Sequence, residues 1–279
     1  CILNGDLDDS ILASEELKWV HCCRAGVEKS TKPEVFERGI ILTSSSGRSA
    51  PALAEHALMF MLSLTYDLPM LTRAQKEHKW AVSREYSEKT GMYRKTVGVI
   101  GLGKTGSEVA RLVKSFDMKV LAWDRRRKEA QNVDQVYGAE NGDNLNELLA
   151  QCDYVVLSLE LNDQTFHIID AAQLAAMKKT AFLVNMGRGG LVNEPAMIEA
   201  LKNGGIAGAG LDTFETEPLP SESPLWNLPN VIITPHITPQ LPDKEERMLD
   251  YVYQNIKAYR ENGTFVNRVT LRNMLTPQK

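Results

Sequence analysis

The chain of 279 residues has only 4 cysteines, no marked excess of either charge, and no apolar run long enough to span a bilayer. The cysteines at 1, 22, 23 and 152 have neither paired Cys-x-x-Cys spacing nor the density of a secreted disulfide scaffold. Reduced thiols in a cytoplasmic compartment are therefore expected, with Cys22 and Cys23 buried and no metal bound. Lys and Arg total 32 against 36 Asp and Glu, a net charge of -4. Nucleic acid and anionic membrane are set aside as partners, because both need a concentrated basic surface. The one dense basic run, Arg125-Arg126-Arg127-Lys128, is too short to reverse that. The most apolar stretch, residues 52–64, carries Glu55, His56 and Ser63 and is shorter than a membrane span. The chain opens directly in a strand-like Cys-Ile-Leu-Asn, so residues are expected to precede it.

What is there reads as a globular protein long enough for two domains: 43% hydrophobic and 24% charged residues. Short runs rich in Val, Ile and Leu at 96–101, 119–123, 154–159, 181–186, 206–211 and 231–234 predict strands buried on both faces. Helices are predicted between them. In 107–116, Val109, Leu112, Val113 and Phe116 recur at helical spacing, and 145–150, 171–177 and 195–203 follow. This alternation predicts an α/β fold with a doubly wound parallel sheet of Rossmann type. The flanks supply a smaller α/β set: strands at 1–4, 19–23 and 40–43, helices at 9–17 and 33–38. A returning helix over 245–259 aligns Met248, Val252, Ile256 and Tyr259. The expected domains are 1–47 with 240–279, discontinuous and incomplete at the N-terminus, and 48–239.

Gly101, Gly103 and Gly106 form G-x-G-x-x-G where a predicted strand ends and a predicted helix opens. That context gives the motif a mechanism. Gly101 makes the turn, Gly103 admits a pyrophosphate to the backbone, and Gly106 lets helix and strand pack closely. Lys104 and Thr105 share this turn. Eighteen residues after Gly106 the second strand ends at Asp124, whose carboxylate can accept from both adenosine ribose hydroxyls. Asp124 repels the extra phosphate of NADP, so NAD is favoured; Arg125 and the two arginines after it keep NADP as the alternative.

Three polar groups fall just after strand ends, where ligands of open α/β sheets bind: Arg188, Glu217 and His236. Hydride transfer to a 2-oxo acid needs this set. A guanidinium holds carboxylate and carbonyl oxygen, an imidazole gives a proton to the nascent alkoxide, and a carboxylate orients the imidazole. His21 and His56 lie in apolar settings and are expected to be packed structural residues; His78 and His167 are expected at the surface.

Segments 182–194 (Phe-Leu-Val-Asn-Met-Gly-Arg-Gly-Gly-Leu-Val-Asn-Glu) and 208–218 (Gly-Ala-Gly-Leu-Asp-Thr-Phe-Glu-Thr-Glu-Pro), with Thr234-Pro235-His236, resemble the signatures of D-isomer-specific 2-hydroxyacid dehydrogenases. Arg24-Ala25-Gly26-Val27 is similar to that family's substrate-carboxylate loop, and Ala54-Glu55-His56 to its interdomain helix. The resemblance implies an NAD-dependent oxidoreductase acting between a small 2-oxo acid and a D-2-hydroxy acid. It assigns substrate binding to Arg188, acid/base work to His236 paired with Glu217, and the nicotinamide amide to Asp212. Backbone amides around Ala25 and Gly26 would hold the carboxylate. The smaller domain becomes a flavodoxin-like substrate domain, and a homodimer is implied through the helix at 51–64. Two positions depart from the pattern: Glu160 stands where proline is usual, and Thr238-Pro239-Gln240 replaces a run of small residues. The alternative is a dinucleotide-sensing corepressor or binding protein of the same fold. Formate oxidation is disfavoured, since that branch carries glutamine where Glu217 stands.

Overall fold

Parallel strands joined by helices dominate the computed structural model, which describes residues 1–80, 86, 89–238 and 241–276. In chain order the elements used below are β1 (Ile2–Leu3), α1 (Asp9–Leu12), β2 (Trp19–Cys22), α2 (Pro33–Glu37), β3 (Ile41–Ser44), α3 (Ala50–Thr65), α4 (Leu68–Lys76), β4 (Thr96–Ile100), α5 (Lys104–Val113), β5 (Lys119–Trp123) and β6 (Gln135–Tyr137). They continue as α6 (Leu145–Leu149), β7 (Tyr154–Leu157), α7 (Ala171–Ala176), β8 (Phe182–Asn185), α8 (Glu194–Lys202), β9 (Gly208–Leu211), β10 (Val231–Ile233), α9 (Lys244–Arg260) and β11 (Arg268–Val269). Two compact units result: Cys1–Ala50, Glu160–Phe166 and Gln240–Lys279 in one, Pro51–Leu159 and His167–Pro239 in the other. No helix among the described residues is long and apolar enough to cross a membrane.

The larger unit holds a seven-stranded sheet in the order β10-β9-β8-β7-β4-β5-β6, parallel throughout. From β4 the chain winds outward through β5 and β6, then returns to β7 on the other side of β4. The crevice beyond the carboxyl ends of β4 and β7 is therefore the topological switch point. Val97, Val99, Val120, Ala122, Val156 and Val184 of the sheet pack with Val109 and Val113 of α5 and with Phe60 and Met61 of α3. Each such valine, phenylalanine or methionine contributes about 1.5–3 kcal/mol relative to exposure. On this same face α3 can approach β9 because the strand is Gly-Ala-Gly-Leu and Gly210 lies in register with Val184: a Cβ on Gly210 would lie 2.5 Å from the Phe60 ring. Most of the apolar face of α3 is thus buried on its own sheet, while Met59 stays exposed.

Where expectation and structure differ, the cause is local. β6 escapes the periodicity because Val136 is its one aliphatic residue; it exists as an edge strand paired only with β5. Helix α5 starts at Lys104, ahead of the apolar stripe, because Gly103 occupies its N-cap. Helix 9–17 contracts to α1, fixed by the Asp8 carboxylate accepting from the Ile11 N–H at 2.9 Å. Neither α4 nor β11 carries a pattern that announces it.

In the smaller unit β1, β2 and β3 are parallel and β11 runs antiparallel to β3, around a core of Leu7, Leu12, Val20, Cys22, Val35, Leu42 and Val269. Cys22, Cys23 and Cys152 are buried free thiols, and Cys1 is exposed. His21 is fully buried, its Nδ1 2.9 Å from Thr43 Oγ1 and its Nε2 3.0 Å from Ser45 Oγ. Asn255 of α9 reaches the same Nδ1 at 3.4 Å and bonds the backbone of Val266 on both sides. Residues 160–166 join this unit through the C-terminal segment. Glu160 accepts from Asn273 Nδ2 at 2.7 Å, and Asp163 accepts from the N–H and hydroxyl of Thr276. The departure at Glu160 is thereby given a partner of its own.

Candidate active site

The glycine turn has the geometry its spacing predicts. Gly101 sits at φ +101°, in the left-handed region. A Cβ on Gly106 would fall 1.9 Å from the Gly101 carbonyl oxygen, so helix and turn are in backbone contact, and Ser158 of the switch point donates to that same oxygen at 2.8 Å. Around Gly103 the reverse holds: a Cβ there would meet nothing within 4 Å. Open space beside the N-terminus of α5 is what a pyrophosphate requires, so these residues fit a dinucleotide. Asp124 ends β5 with its carboxylate turned to this place. Its Oδ2 accepts from the Leu102 N–H at 3.2 Å, and its Oδ1 accepts from the N–H groups of Arg126 and Arg127, both at 2.9 Å. Arg126 and Arg127 are exposed, and Arg125 Nε lies 4.0 Å from Glu140.

Two signature loops leave β8 and β9 in backbone contact. Asn185 brackets the first, accepting from the Gly187 N–H and donating to the Arg188 carbonyl, while Arg188 Nη1 donates to the Gly187 carbonyl at 2.8 Å. A Cβ on Gly189 would lie 1.9 Å from the carbonyl carbon of Phe214, so only glycine lets the loops touch. His167, expected at the surface, is instead half-buried and ties them. Its Nε2 is 2.7 Å from Glu215 Oε1 and its N–H donates to the Gly190 carbonyl. Glu215 and Glu194 each accept from the other's backbone N–H, and burial pushes the Glu194 carboxyl above its ordinary range, with the Glu215 charge adding to it.

Glu217 uses its oxygens separately: Oε1 accepts from the Phe214 N–H at 3.0 Å, and Oε2 is 2.8 Å from His236 Nδ1. His236 follows β10 at φ +53°, its N–H donating to the Thr234 carbonyl. With Nδ1–H given to the carboxylate, Nε2 is the atom left to exchange a proton with a ligand. Asp212, 1% exposed, accepts on Oδ1 from Thr234 Oγ1 at 2.5 Å and from the Ile237 N–H at 3.1 Å. Arg188, Glu217, His236, Asp212 and the glycine turn thus all belong to the larger unit, at the carboxyl ends of its strands. Ala25 and Gly26 belong to the smaller one. They follow β2 in a loop fastened by Ser45, whose N–H donates to the carbonyls of Cys22 and Arg24, and Ala25 is exposed. Pro239 and Gln240 lie outside the described residues. Sequence reasoning missed Thr234 and the polar engagement of His56. Their signal, a hydroxyl two residues before His236 and an imidazole in an apolar helix, is too common to single them out.

A family model described as "D-isomer specific 2-hydroxyacid dehydrogenase, NAD binding domain" matches residues 58–238. A glyoxylate reductase of Korarchaeum cryptofilum is 34% identical over 262 residues, covering 93% of this chain and 78% of that protein. A D-3-phosphoglycerate dehydrogenase of Methanocaldococcus jannaschii is 35% identical over 95% of this chain, which spans 50% of that protein's length. Among solved structures, a D-isomer specific 2-hydroxyacid dehydrogenase from Xanthobacter autotrophicus Py2, in complex with NADPH and MES, matches with a TM-score of 0.80 at 30% identity, covering 94% of this chain and 81% of that one. The matched span contains the glycine turn, Asp124 and all three polar groups after β8, β9 and β10, and the chain belongs to the D-isomer-specific 2-hydroxyacid dehydrogenases, NAD(P)-dependent oxidoreductases.

Proposed function

We propose that the protein reduces a small 2-oxo monocarboxylic acid of the glyoxylate class to the D-2-hydroxy acid, with NADH in preference to NADPH. The observation that carries this reading is the 2.8 Å contact between His236 Nδ1 and Glu217 Oε2. When bound, the dinucleotide supplies the hydride. Arg188 holds the carboxylate and carbonyl oxygen with its planar fork, and the backbone amides around Ala25 and Gly26 are assigned to carboxylate binding. Protonated His236 gives the proton on Nε2 to the oxygen as negative charge develops there, while Glu217 keeps the ring oriented and stabilises the cation. In the reverse direction neutral His236 takes that proton back.

The cofactor preference is supported by Asp124. Three backbone N–H groups fix its carboxylate at the end of β5, where a 2′-phosphate would face a held negative charge. Asp212, held by Thr234 and the Ile237 N–H, is assigned the nicotinamide amide. Exposed Met59, Tyr66 and Leu68 near the end of α3 support pairing with a second copy of the chain, and the four free thiols support a cytoplasmic setting.

The test is a panel of glyoxylate, hydroxypyruvate and pyruvate with NADH and with NADPH, followed at the reduced nicotinamide absorbance. His236→Ala should lose on the order of 10²- to 10⁴-fold in kcat/KM. A variant that keeps most of its activity would place the proton donor elsewhere.

A further inference from the structure

His56 is 5% exposed in α3, one helical turn before Phe60, and stacks on that ring at a centroid distance of 4.8 Å. Both its nitrogens meet hydroxyls that flank His236: Nε2 lies 3.1 Å from Thr234 Oγ1 and Nδ1 lies 3.4 Å from Thr238 Oγ1. The proton inventory settles the direction of these bonds. Thr234 has one hydroxyl hydrogen, and Asp212 Oδ1, 2.5 Å away, is a carboxylate oxygen that can only accept it. His56 must then donate to Thr234 from Nε2–H, which leaves Nδ1 bare to accept from Thr238. A neutral ring is what burial favours here: it lowers the His56 pKa, with the Asp212 charge opposing.

Resting on the role proposed for His236, we infer that His56 is a positioning residue whose Nε2–H turns the Thr234 hydroxyl onto Asp212 and, with Thr238, holds the 234–238 turn that presents His236. Asp212 binds the same turn a second time through the Ile237 N–H at 3.1 Å. These bonds matter because His236 sits at φ +53°, a conformation that a non-glycine residue keeps only when its surroundings hold it.

Two substitutions separate the polar role from packing. His56→Leu keeps an apolar side chain and loses both ring bonds; His56→Gln retains a donor and an acceptor. In the leucine variant kcat for 2-oxo acid reduction should fall by roughly 10²-fold, the scale expected when a reacting group is misplaced by about an ångström, and the Kd for NADH from fluorescence titration should rise. In the glutamine variant kcat should stay within about threefold of wild type. Thr234→Val should lower kcat as His56→Leu does, and it decides the matter if the leucine variant does not fold. NMR of protein labelled with ¹⁵N-histidine, which needs no turnover, should find His56 as the neutral Nε2–H tautomer at pH 7. An Nδ1–H tautomer, a leucine variant with unchanged kcat, or a glutamine variant no better than leucine would each overturn the inference. If wild type reduces no 2-oxo acid, the proposed activity fails while the tautomer measurement still decides the network.

Discussion

Recognition in this protein depends on groups whose geometry counts as much as their charge. Arg188→Lys keeps the cation and removes the planar fork, so KM for the 2-oxo acid should rise and kcat should fall together. Losing one charge-assisted hydrogen bond, about 1.5–3 kcal/mol, corresponds to a drop of roughly 10- to 100-fold in kcat/KM. An unchanged kcat/KM would make Arg188 a structural residue held by the Gly187 carbonyl. Asp124→Ala should weaken NADH by about 1–3 kcal/mol and relax the bias against NADPH. Calorimetric titration of both dinucleotides measures this directly. Tenfold preference for NADPH in wild type would assign the pocket to the arginine run instead. The variant also deprives Leu102, Arg126 and Arg127 of an N–H acceptor, so part of its effect will be a rearranged loop.

The glycine turn and α5 offer a prediction in which packing and binding come apart. Gly106→Ala drives a Cβ to 1.9 Å from the Gly101 carbonyl oxygen, and the backbone must yield. A loss of about 1–3 kcal/mol in unfolding free energy is expected from overpacking, visible as a lower urea midpoint. Gly103→Ala adds the same methyl group where nothing lies within 4 Å. Its stability should match wild type, yet its affinity for NADH should fall because the methyl occupies the space the pyrophosphate needs. Equal urea midpoints for the two variants would contradict this account of the turn. The same contrast shows why the motif could be read in advance. A turn, a close approach and an open cradle are each consequences of a missing side chain, and glycine spacing records them directly.

Across the two units, acid stability should be set in part by the smaller one. Burial lowers the His21 pKa to about 4 from 6.5, so between those values the unfolded chain binds a proton that the folded chain refuses. Stability contributed by the neutral ring is complete above pH 6.5, declines as pH falls toward 4, and changes no further below that. His21→Gln, which keeps a hydrogen-bonding group beside Thr43 and Ser45, should show a shallower decline over the same range. Hydrogen exchange of the β2 and β3 amides against pH is the measurement; parallel profiles for wild type and variant would remove His21 from the explanation. Protonation there strains a junction of β2, β3 and α9, since Asn255 reaches the same nitrogen and fastens Val266.

Local rules made much of this protein legible from its residues alone. The runs around Val97, Val155 and Leu183 announce parallel strands because a strand buried on both faces must be apolar throughout. Asp124, Arg188, Glu217 and His236 could be nominated as candidates because each follows a recognisable strand end. Folding added the partners that distance along the chain conceals. His56 meets Thr234 across 178 residues, Glu160 meets Asn273 across 113, and His167 meets Glu215 across 48. No periodicity encodes such pairs, because a side chain's hydrogen-bond partner is chosen by which elements pack together. The edge strand Gln135–Tyr137 exists for the same reason, drawn into register by β5 with little apolar pattern of its own. Chemistry that depends on one residue type at one strand end can be read from sequence; chemistry that depends on two side chains meeting waits for the packing that brings them together.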